Sequence, residues 1–154
     1  MIERLNHKEE VVAAEILALQ IPGYQVEASW IGFDGIPHLH DTVQTIMESG
    51  ETFFGFLSDG ELAGFLSYKE EDGAAFIHRL VVHPGQFHEG IASEMIAYFL
   101  EEEAQGRIVK VTTGAQNQAA RKLYTKFGFH EVEEYSTEAG LEIVLMEKDQ
   151  KAEQ

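Results

Sequence analysis

The residues with the most suggestive chemistry lie in the segment 80–93, where an apolar stretch gives way to a helical pattern. Pro84-Gly85 ends the apolar stretch, and Gly90 and Ala92 keep the start of the next helix free of bulky side chains. The first N–H groups of a helix have no partner within it, and the helix dipole adds positive potential there. A diphosphate could therefore bind this backbone, although an ordinary strand–turn–helix corner has the same pattern.

A second candidate segment covers residues 117–129, where the spacing of apolar residues predicts a helix over 117–127. Gly128 is well placed to end that helix. Asn117 could cap its start, and Tyr124 lies beside its apolar face. Each of these two side chains could therefore serve the packing of the helix, a reaction, or both.

Hydrophobic periodicity predicts the elements that must position these segments. Strands are predicted at 1–5, 52–57, 62–68, 74–83, 108–112, 129–135 and 141–146, and helices at 8–20, 39–48, 90–105 and 117–127. Pro22-Gly23 is expected to end the first helix, and 24–37 to form a loop. Residues 80–82 are apolar on both faces, which is typical of a central strand. The order predicts an α/β (α+β) domain over 1–148, followed by a polar tail at 149–154.

The net charge and the absence of cysteine limit the kinds of binding partner and chemistry that the chain is expected to have. The 154 residues carry a net charge of −16 and include no cysteine. Nucleic acid is therefore not expected as a partner, because phosphate contacts need clustered Lys and Arg. The absence of cysteine excludes disulfides, a thiol nucleophile and thiolate metal sites. The acidic surface would attract a cationic substrate, or it could simply keep the protein soluble.

Membrane and metal partners are not expected either. No apolar stretch approaches the length of a membrane span, and the first residues lack a signal-peptide pattern, so a cytoplasmic location is expected. His38 and His40 have a spacing that is common by chance, with no carboxylate–histidine set at a recognised spacing around them.

The two candidate segments together resemble the GNAT N-acetyltransferase superfamily. Its cofactor turn, Arg/Gln-x-x-Gly-x-Gly/Ala, is matched at Gly90 and Ala92, whereas Phe87 stands where Arg or Gln is usual. Its pattern Asn-x-x-Ala-x-x-Leu-Tyr-x-x-x-Gly-Phe is matched in full by Asn117, Ala120, Leu123, Tyr124, Gly128 and Phe129. The element order is similar as well. The resemblance implies a mixed, mostly antiparallel sheet of about seven strands flanked by about four helices.

The resemblance also implies an activity, in which an amine attacks the thioester of the co-substrate acetyl-CoA directly, without a covalent acyl-enzyme. The pantetheine arm would bind along Leu80, Val81 and Val82, where a backbone N–H would polarise the thioester carbonyl. The pyrophosphate would bind the turn and helix start formed by Phe87, His88, Glu89, Gly90, Ile91, Ala92 and Ser93. Because Phe87 is apolar and the chain is acidic, this contact should depend mainly on backbone N–H groups.

Asn117 and Tyr124 receive roles by the same resemblance. Asn117 would orient the cofactor arm or the amine. Tyr124 stands in the position of the family's usual general acid and would protonate the leaving sulfur, since phenols and thiols ionise in neighbouring pH ranges. The departure at Phe87 leaves an alternative open, a GNAT-like domain that holds acyl-CoA as a sensor or scaffold without turnover. The matched Asn117 and Tyr124 argue against that alternative.

The catalytic base is open. Many relatives carry a glutamate two residues before the Leu of Leu-x-Val, and His78 occupies that position here. Its imidazole could accept a proton near neutral pH or contact the substrate. Glu27, Glu61 and a chain of water molecules remain alternatives.

The acceptor, a small-molecule amine or a peptide amine, is expected to bind in the segment 24–39. Its side chains Tyr24, Trp30, Phe33 and His38 could line a pocket or fill the space between the first two helices. The closing strands offer edges through which two copies could pair as a homodimer.

Overall fold

The computed structural model describes residues 1–31, 40–86, 90–138 and 140–150, and for residues 27–31 it gives the backbone alone. The strands are β1 (Ile2–Leu5), β2 (Thr52–Ser58), β3 (Glu61–Glu71), β4 (Ala74–Val82), β5 (Ile108–Gly114), β6 (His130–Ser136) and β7 (Glu142–Asp149). The helices are α1 (Glu10–Ile31), α2 (Val43–Met47), α3 (Ile91–Tyr98) and α4 (Gln118–Lys126), and a π-helical turn, Phe99–Glu103, extends α3. The predicted order of elements is confirmed.

The seven strands form one sheet in the order β1-β2-β3-β4-β5-β7-β6. The β4–β5 pair is parallel and the other five pairs are antiparallel, which confirms the expected fold class. The parallel pairing runs only from Ala75 opposite Val109 to Ile77 opposite Val111. Both strands continue beyond that point without pairing to each other. The sheet is therefore split at its centre.

Apolar side chains cover both faces of the sheet. On one face Met95 and Ile96 of α3 and Phe99 of the π-helical turn pack with residues of β4, β5 and β7. On the other, Ala13 and Ile16 of α1 pack with β2 and β3. Leu80 packs against the first cluster and Val81 belongs to the second, so the two-sided apolar pattern of β4 does mark a buried central strand.

Helix α1 is longer than the sequence predicts, because it continues through Pro22 to Ile31. The predicted helix end at Pro22-Gly23 and the predicted loop from Tyr24 to Ile31 are therefore wrong, and the rest of that loop lies outside the described residues. Gly23 lies against β4, where an added Cβ would come within 2.7 Å of Val81 Cγ1. The glycine therefore allows close helix–strand packing, and the burial of Tyr24 favours a continued helix despite the missing proline N–H.

Helix α2 is shorter than predicted, because Thr42 caps it. The Thr42 hydroxyl accepts a hydrogen bond from the Thr45 N–H at 3.2 Å, and the Thr45 hydroxyl accepts one from the Thr42 N–H at 2.8 Å. This reciprocal cap starts the helix at Val43. Residues 40–42 are thus not part of the helix, and the predicted start at Leu39 lies outside the described residues.

Candidate active site

A cavity of about 370 Å³ opens where β4 and β5 separate. Residues 77–82 of β4 and 111–113 of β5 form its walls. The start of α3, the inner face of α4, and Gly23 with Tyr24 of α1 complete the lining. The split in the sheet therefore brings residues 80–82, 86 and 90–93 of the first suggestive segment together with residues of the second, from Asn117 to Tyr124.

A β-bulge in β4 shapes one wall. Ser67 pairs with Arg79 but the next residue, Tyr68, pairs with Ile77, so His78 is an extra residue in β4. Ile77 and Leu80 consequently join the same core although they are three residues apart, which a regular strand of period two does not allow. The bulge therefore changes which side chains of the segment 77–82 face each side of the sheet.

Gly90 is the N-cap residue of α3 and has no side chain that could cap the helix. It has a φ of 78°, and an added Cβ there would meet no atom of the described residues within 4 Å. Residues 90–93 line the cavity, so the first N–H groups of the helix are near a space that a ligand can enter. Phe87, His88 and Glu89, also predicted for this site, lie outside the described residues.

Asn117 and Tyr124 form the opposite wall. The Asn117 Oδ1 accepts a hydrogen bond from the Ala120 N–H at 3.0 Å, so the residue caps α4. The Tyr124 ring meets the Phe129 ring edge to face, with centroids 5.4 Å apart. Both side chains are buried and both line the cavity. Both residues therefore pack in the fold and lie at the cavity wall, and their roles in a reaction stay predictions.

His78 also lines the cavity, and its Nε2 lies 3.0 Å from Oε1 of Glu71. Of the other candidate bases, Glu61 is exposed at the start of β3 and is not part of the lining. The side chain of Glu27 is not described. Among the candidate bases whose side chains are described, His78 is therefore the one at the cavity.

The predicted acceptor residues are described only in part. Tyr24 is buried and lines the cavity beside Gly23. The Trp30 side chain, Phe33 and His38 lie outside what the structure describes.

Within the described ranges, no three His, Asp or Glu side chains are grouped to hold a metal ion. None of the described helices is both long and apolar enough to cross a membrane.

A buried ionic cluster around Arg79 is absent from the sequence-based predictions. The Arg79 guanidinium donates to Glu51 at 2.9 Å, to Asp41 at 2.6 Å and to Gln20 at 2.8 Å, and the side chain is 4% exposed. Glu51 also accepts a hydrogen bond from the Ser67 hydroxyl at 2.6 Å. The signal that could have revealed it is a lone charge within the apolar stretch 77–82, since a buried charge needs partners.

The cluster controls the ionisation of its two carboxyls. Burial alone would raise the pKa of Glu51, but hydrogen bonds from Arg79 and Ser67 outweigh burial and lower it. Burial would also raise the pKa of Asp41. The hydrogen bond from Gln20 and the charge of Arg79 have a larger effect, so the pKa of Asp41 is lowered. Both groups are therefore anionic at neutral pH, and the cluster ties α1, the start of α2 and β2–β4 together beside His78.

Comparison with known proteins gives the classification. A family model described as an acetyltransferase (GNAT) domain matches residues 32–150, well over half of the chain. The chain belongs to the GNAT acetyltransferase family. UPF0157 protein YqkA of Bacillus subtilis is 41% identical over 141 residues, which cover 92% of this GNAT chain and 41% of that protein. The chain thus spans about two fifths of the length of that curated relative.

Solved structures share the GNAT fold. The ribosomal-protein-S18-alanine N-acetyltransferase from Escherichia coli gives a TM-score of 0.73 at 17% identity, covering 96% of this chain and 91% of that one. The PaiA N-acetyltransferase from Thermoplasma acidophilum, solved in complex with coenzyme A, gives a TM-score of 0.74 at 16% identity, covering 97% and 98%. At these identities the likeness establishes the fold.

Proposed function

We propose that this GNAT domain transfers an acetyl group from acetyl-CoA to a primary amine within a ternary complex. The observation that carries the proposal is the cavity between β4 and β5, which joins the uncapped start of α3 to Tyr124 and His78. Membership of the acetyltransferase family supports this reaction class. The acceptor is a small-molecule amine or a peptide amine, and a cytoplasmic location and a homodimer remain predictions from the sequence.

The start of α3 fits a pyrophosphate. Gly90 presents no side chain, and we assign the N–H groups of Ile91, Ala92 and Ser93, at the positive end of the helix dipole, as donors to the phosphate oxygens. The net charge of −16 opposes an anionic ligand, so local backbone donors supply the attraction. Beyond Ile77 the β5-facing edge of β4 is not paired with β5, and the pantetheine amides bind there as an added strand.

The reaction moves two protons. The amine nitrogen forms a bond to the acetyl carbon while the carbon–sulfur bond breaks. His78 accepts a proton from the amine, directly or through a water molecule, and the Tyr124 hydroxyl donates its proton to the departing sulfur. A backbone N–H of β4 donates to the thioester oxygen as negative charge develops on it. Solvent then takes the proton from His78 and returns one to Tyr124, so charge and atoms balance.

Acetyl-CoA should stabilise the folded protein and be consumed only when an amine is present. At a concentration of 100 times Kd, the free energy of unfolding should increase by about 2.7 kcal/mol. Thermal-shift titration measures the binding, and a thiol-release assay with a panel of amines measures the turnover. Binding without release by any amine would instead favour a sensor or scaffold that holds acyl-CoA. The absence of any stabilisation would contradict both functions.

Replacing Gly90 with alanine should weaken acetyl-CoA binding about tenfold, or about 1.4 kcal/mol. The added methyl group would stand in front of the helix-start N–H groups. Isothermal titration calorimetry measures the change. Gly60→Ala is a matched control, because Gly60 has a φ of 79° in the β2–β3 turn and its added Cβ also meets no atom within 4 Å.

Both glycine variants should lose a similar stability of about 1–2 kcal/mol, since both place a Cβ in the left-handed region. A loss of affinity confined to Gly90→Ala would then be an effect on the ligand rather than on the fold. Equal affinity in the two variants would contradict a pyrophosphate site at this turn.

A further inference from the structure

We propose that Glu71 is a positioning residue for the transfer reaction. Its carboxylate selects one tautomer of the His78 imidazole and holds the ring so that Nδ1 accepts the proton of the amine. The proposal rests on the function proposed for His78, and it adds to that function the residue that prepares the base.

The contact between the two residues depends on the β3–β4 hairpin. Glu71 is the last residue of β3, and the tight turn at Asp72-Gly73, with φ values of 51° and 80°, leads directly into β4. The bulge then inserts His78 into β4 and places its Nε2 3.0 Å from Oε1 of Glu71. The Phe76 ring packs beside the imidazole, with centroids 5.5 Å apart. The ring therefore has a polar contact at one nitrogen and an apolar neighbour.

The chemistry of a carboxylate decides the tautomer. An ionised carboxylate can only accept hydrogen bonds, so the hydrogen lies on Nε2 and is donated to Glu71. A neutral imidazole with its hydrogen on Nε2 has its lone pair on Nδ1, which becomes the basic nitrogen. The same carboxylate stabilises the positive charge that the ring acquires when it accepts a proton. Glu71 thus acts on both the orientation and the charge of the ring.

Two other charged groups of the described residues lie near His78, namely Glu51 and Arg79. Glu51 lies within electrostatic range, but its oxygens already accept hydrogen bonds from Arg79 and Ser67. Arg79, the next residue in β4, opposes a positive charge on the ring, and Glu51 and Asp41 balance its own charge. Among the described residues, Glu71 is therefore the carboxylate in direct contact with the imidazole. Side chains are 29% exposed for His78 and 40% for Glu71, so water screens this pair only in part.

Glu71→Gln removes the negative charge of the side chain and keeps its shape. The amide oxygen can still accept a hydrogen bond from Nε2 of His78. The kcat should fall about threefold to tenfold, because the ring loses the charge that orients it and stabilises its protonated form, and KM for acetyl-CoA should not change. Glu70→Gln is the matched control, because it removes the same charge one residue earlier from an exposed ion pair with Arg107.

His78→Gln distinguishes this inference from the proposed function. If His78→Gln lowers kcat and changes its pH profile while Glu71→Gln leaves kcat unchanged, Glu71 has no positioning role and the base role of His78 stands. If His78→Gln leaves the profile unchanged, both ideas are overturned.

Nitrogen NMR of the ring gives a test that is independent of turnover. The neutral form of His78 should carry its hydrogen on Nε2 in the unsubstituted protein. A hydrogen on Nδ1 would overturn the proposal.

Discussion

Replacing Tyr124 with phenylalanine should lower kcat by a factor on the order of 10²–10⁴, the usual contribution of a general acid. The Kd for acetyl-CoA should change by less than about threefold, which is below 1 kcal/mol. The reason is that the hydroxyl acts on the sulfur only as the carbon–sulfur bond breaks, and the ground-state complex does not need that proton. Steady-state kinetics across pH, with calorimetric binding of acetyl-CoA, measure the two quantities.

Tyr124→Phe preserves the packing of the aromatic ring. The side chain is 4% exposed, and its ring meets Phe129 in an edge-to-face contact that phenylalanine can also make. The change therefore removes one oxygen atom at the cavity wall and leaves the apolar packing of α4 in place. Urea unfolding of Tyr124→Phe would separate a loss of chemistry from a loss of structure.

Tyr68→Phe is the matched control for Tyr124→Phe. The Tyr68 hydroxyl donates to Glu103 at 3.2 Å, its ring packs on Phe99, and the residue does not line the cavity. This variant should lose about 1 kcal/mol of stability, the value of one hydrogen bond, and keep its kcat. If Tyr124→Phe also keeps its kcat at every pH, the acid role assigned to Tyr124 is wrong.

Replacing Arg79 with methionine should lower the free energy of unfolding by about 3–5 kcal/mol at neutral pH, as expected when one partner of a buried ion pair is removed. Methionine keeps the long side chain but leaves Glu51 and Asp41 without the guanidinium that neutralises them. Urea unfolding measures the change. Arg107→Met is the control, because Arg107 pairs with the exposed Glu70 and should contribute less than about 1 kcal/mol.

The pH dependence of stability should weaken in Arg79→Met. In the unsubstituted protein the pKa values of Glu51 and Asp41 are lowered despite burial, so the unfolded chain binds more protons than the folded one. Their stabilising contribution is therefore present above about pH 5 and is lost as the pH falls below about 4. Without Arg79 the two carboxyls lose its charge and hydrogen bonds, although Gln20 and Ser67 still donate to them, so the variant should lose less stability in acid than the unsubstituted protein. Parallel pH profiles for the two proteins would contradict this account.

Local signals in the sequence were sufficient for the order of elements and for several of their ends. Asp59-Gly60 predicts the β2–β3 turn, and both residues have the positive φ values, 52° and 79°, that a two-residue hairpin turn needs. Gly128 ends α4 with a φ of 93°, and Asn117 caps its start. These features depend on residues close together in the chain, so local sequence patterns can predict them.

The sequence also identified its family, because the motif residues stand at fixed spacings within single elements. It could place Gly90, Asn117 and Tyr124 on a helix start or a helix face for the same reason. It could not show that these positions share one cavity with His78. That depends on where β4 and β5 stop pairing, and the alternation of apolar residues along either strand does not encode it.

Only the tertiary structure decided the features that join distant residues. Helix α1 continues past Pro22 because Gly23 packs on β4, which outweighs the local preference for a break. Arg79 is neutralised by Asp41 and Glu51, which lie 38 and 28 residues away in the sequence. His78 reaches Glu71 because a bulge shifts the register of two strands. Each outcome depends on contacts across the fold, whose free energies exceed the local propensities that a sequence pattern reports.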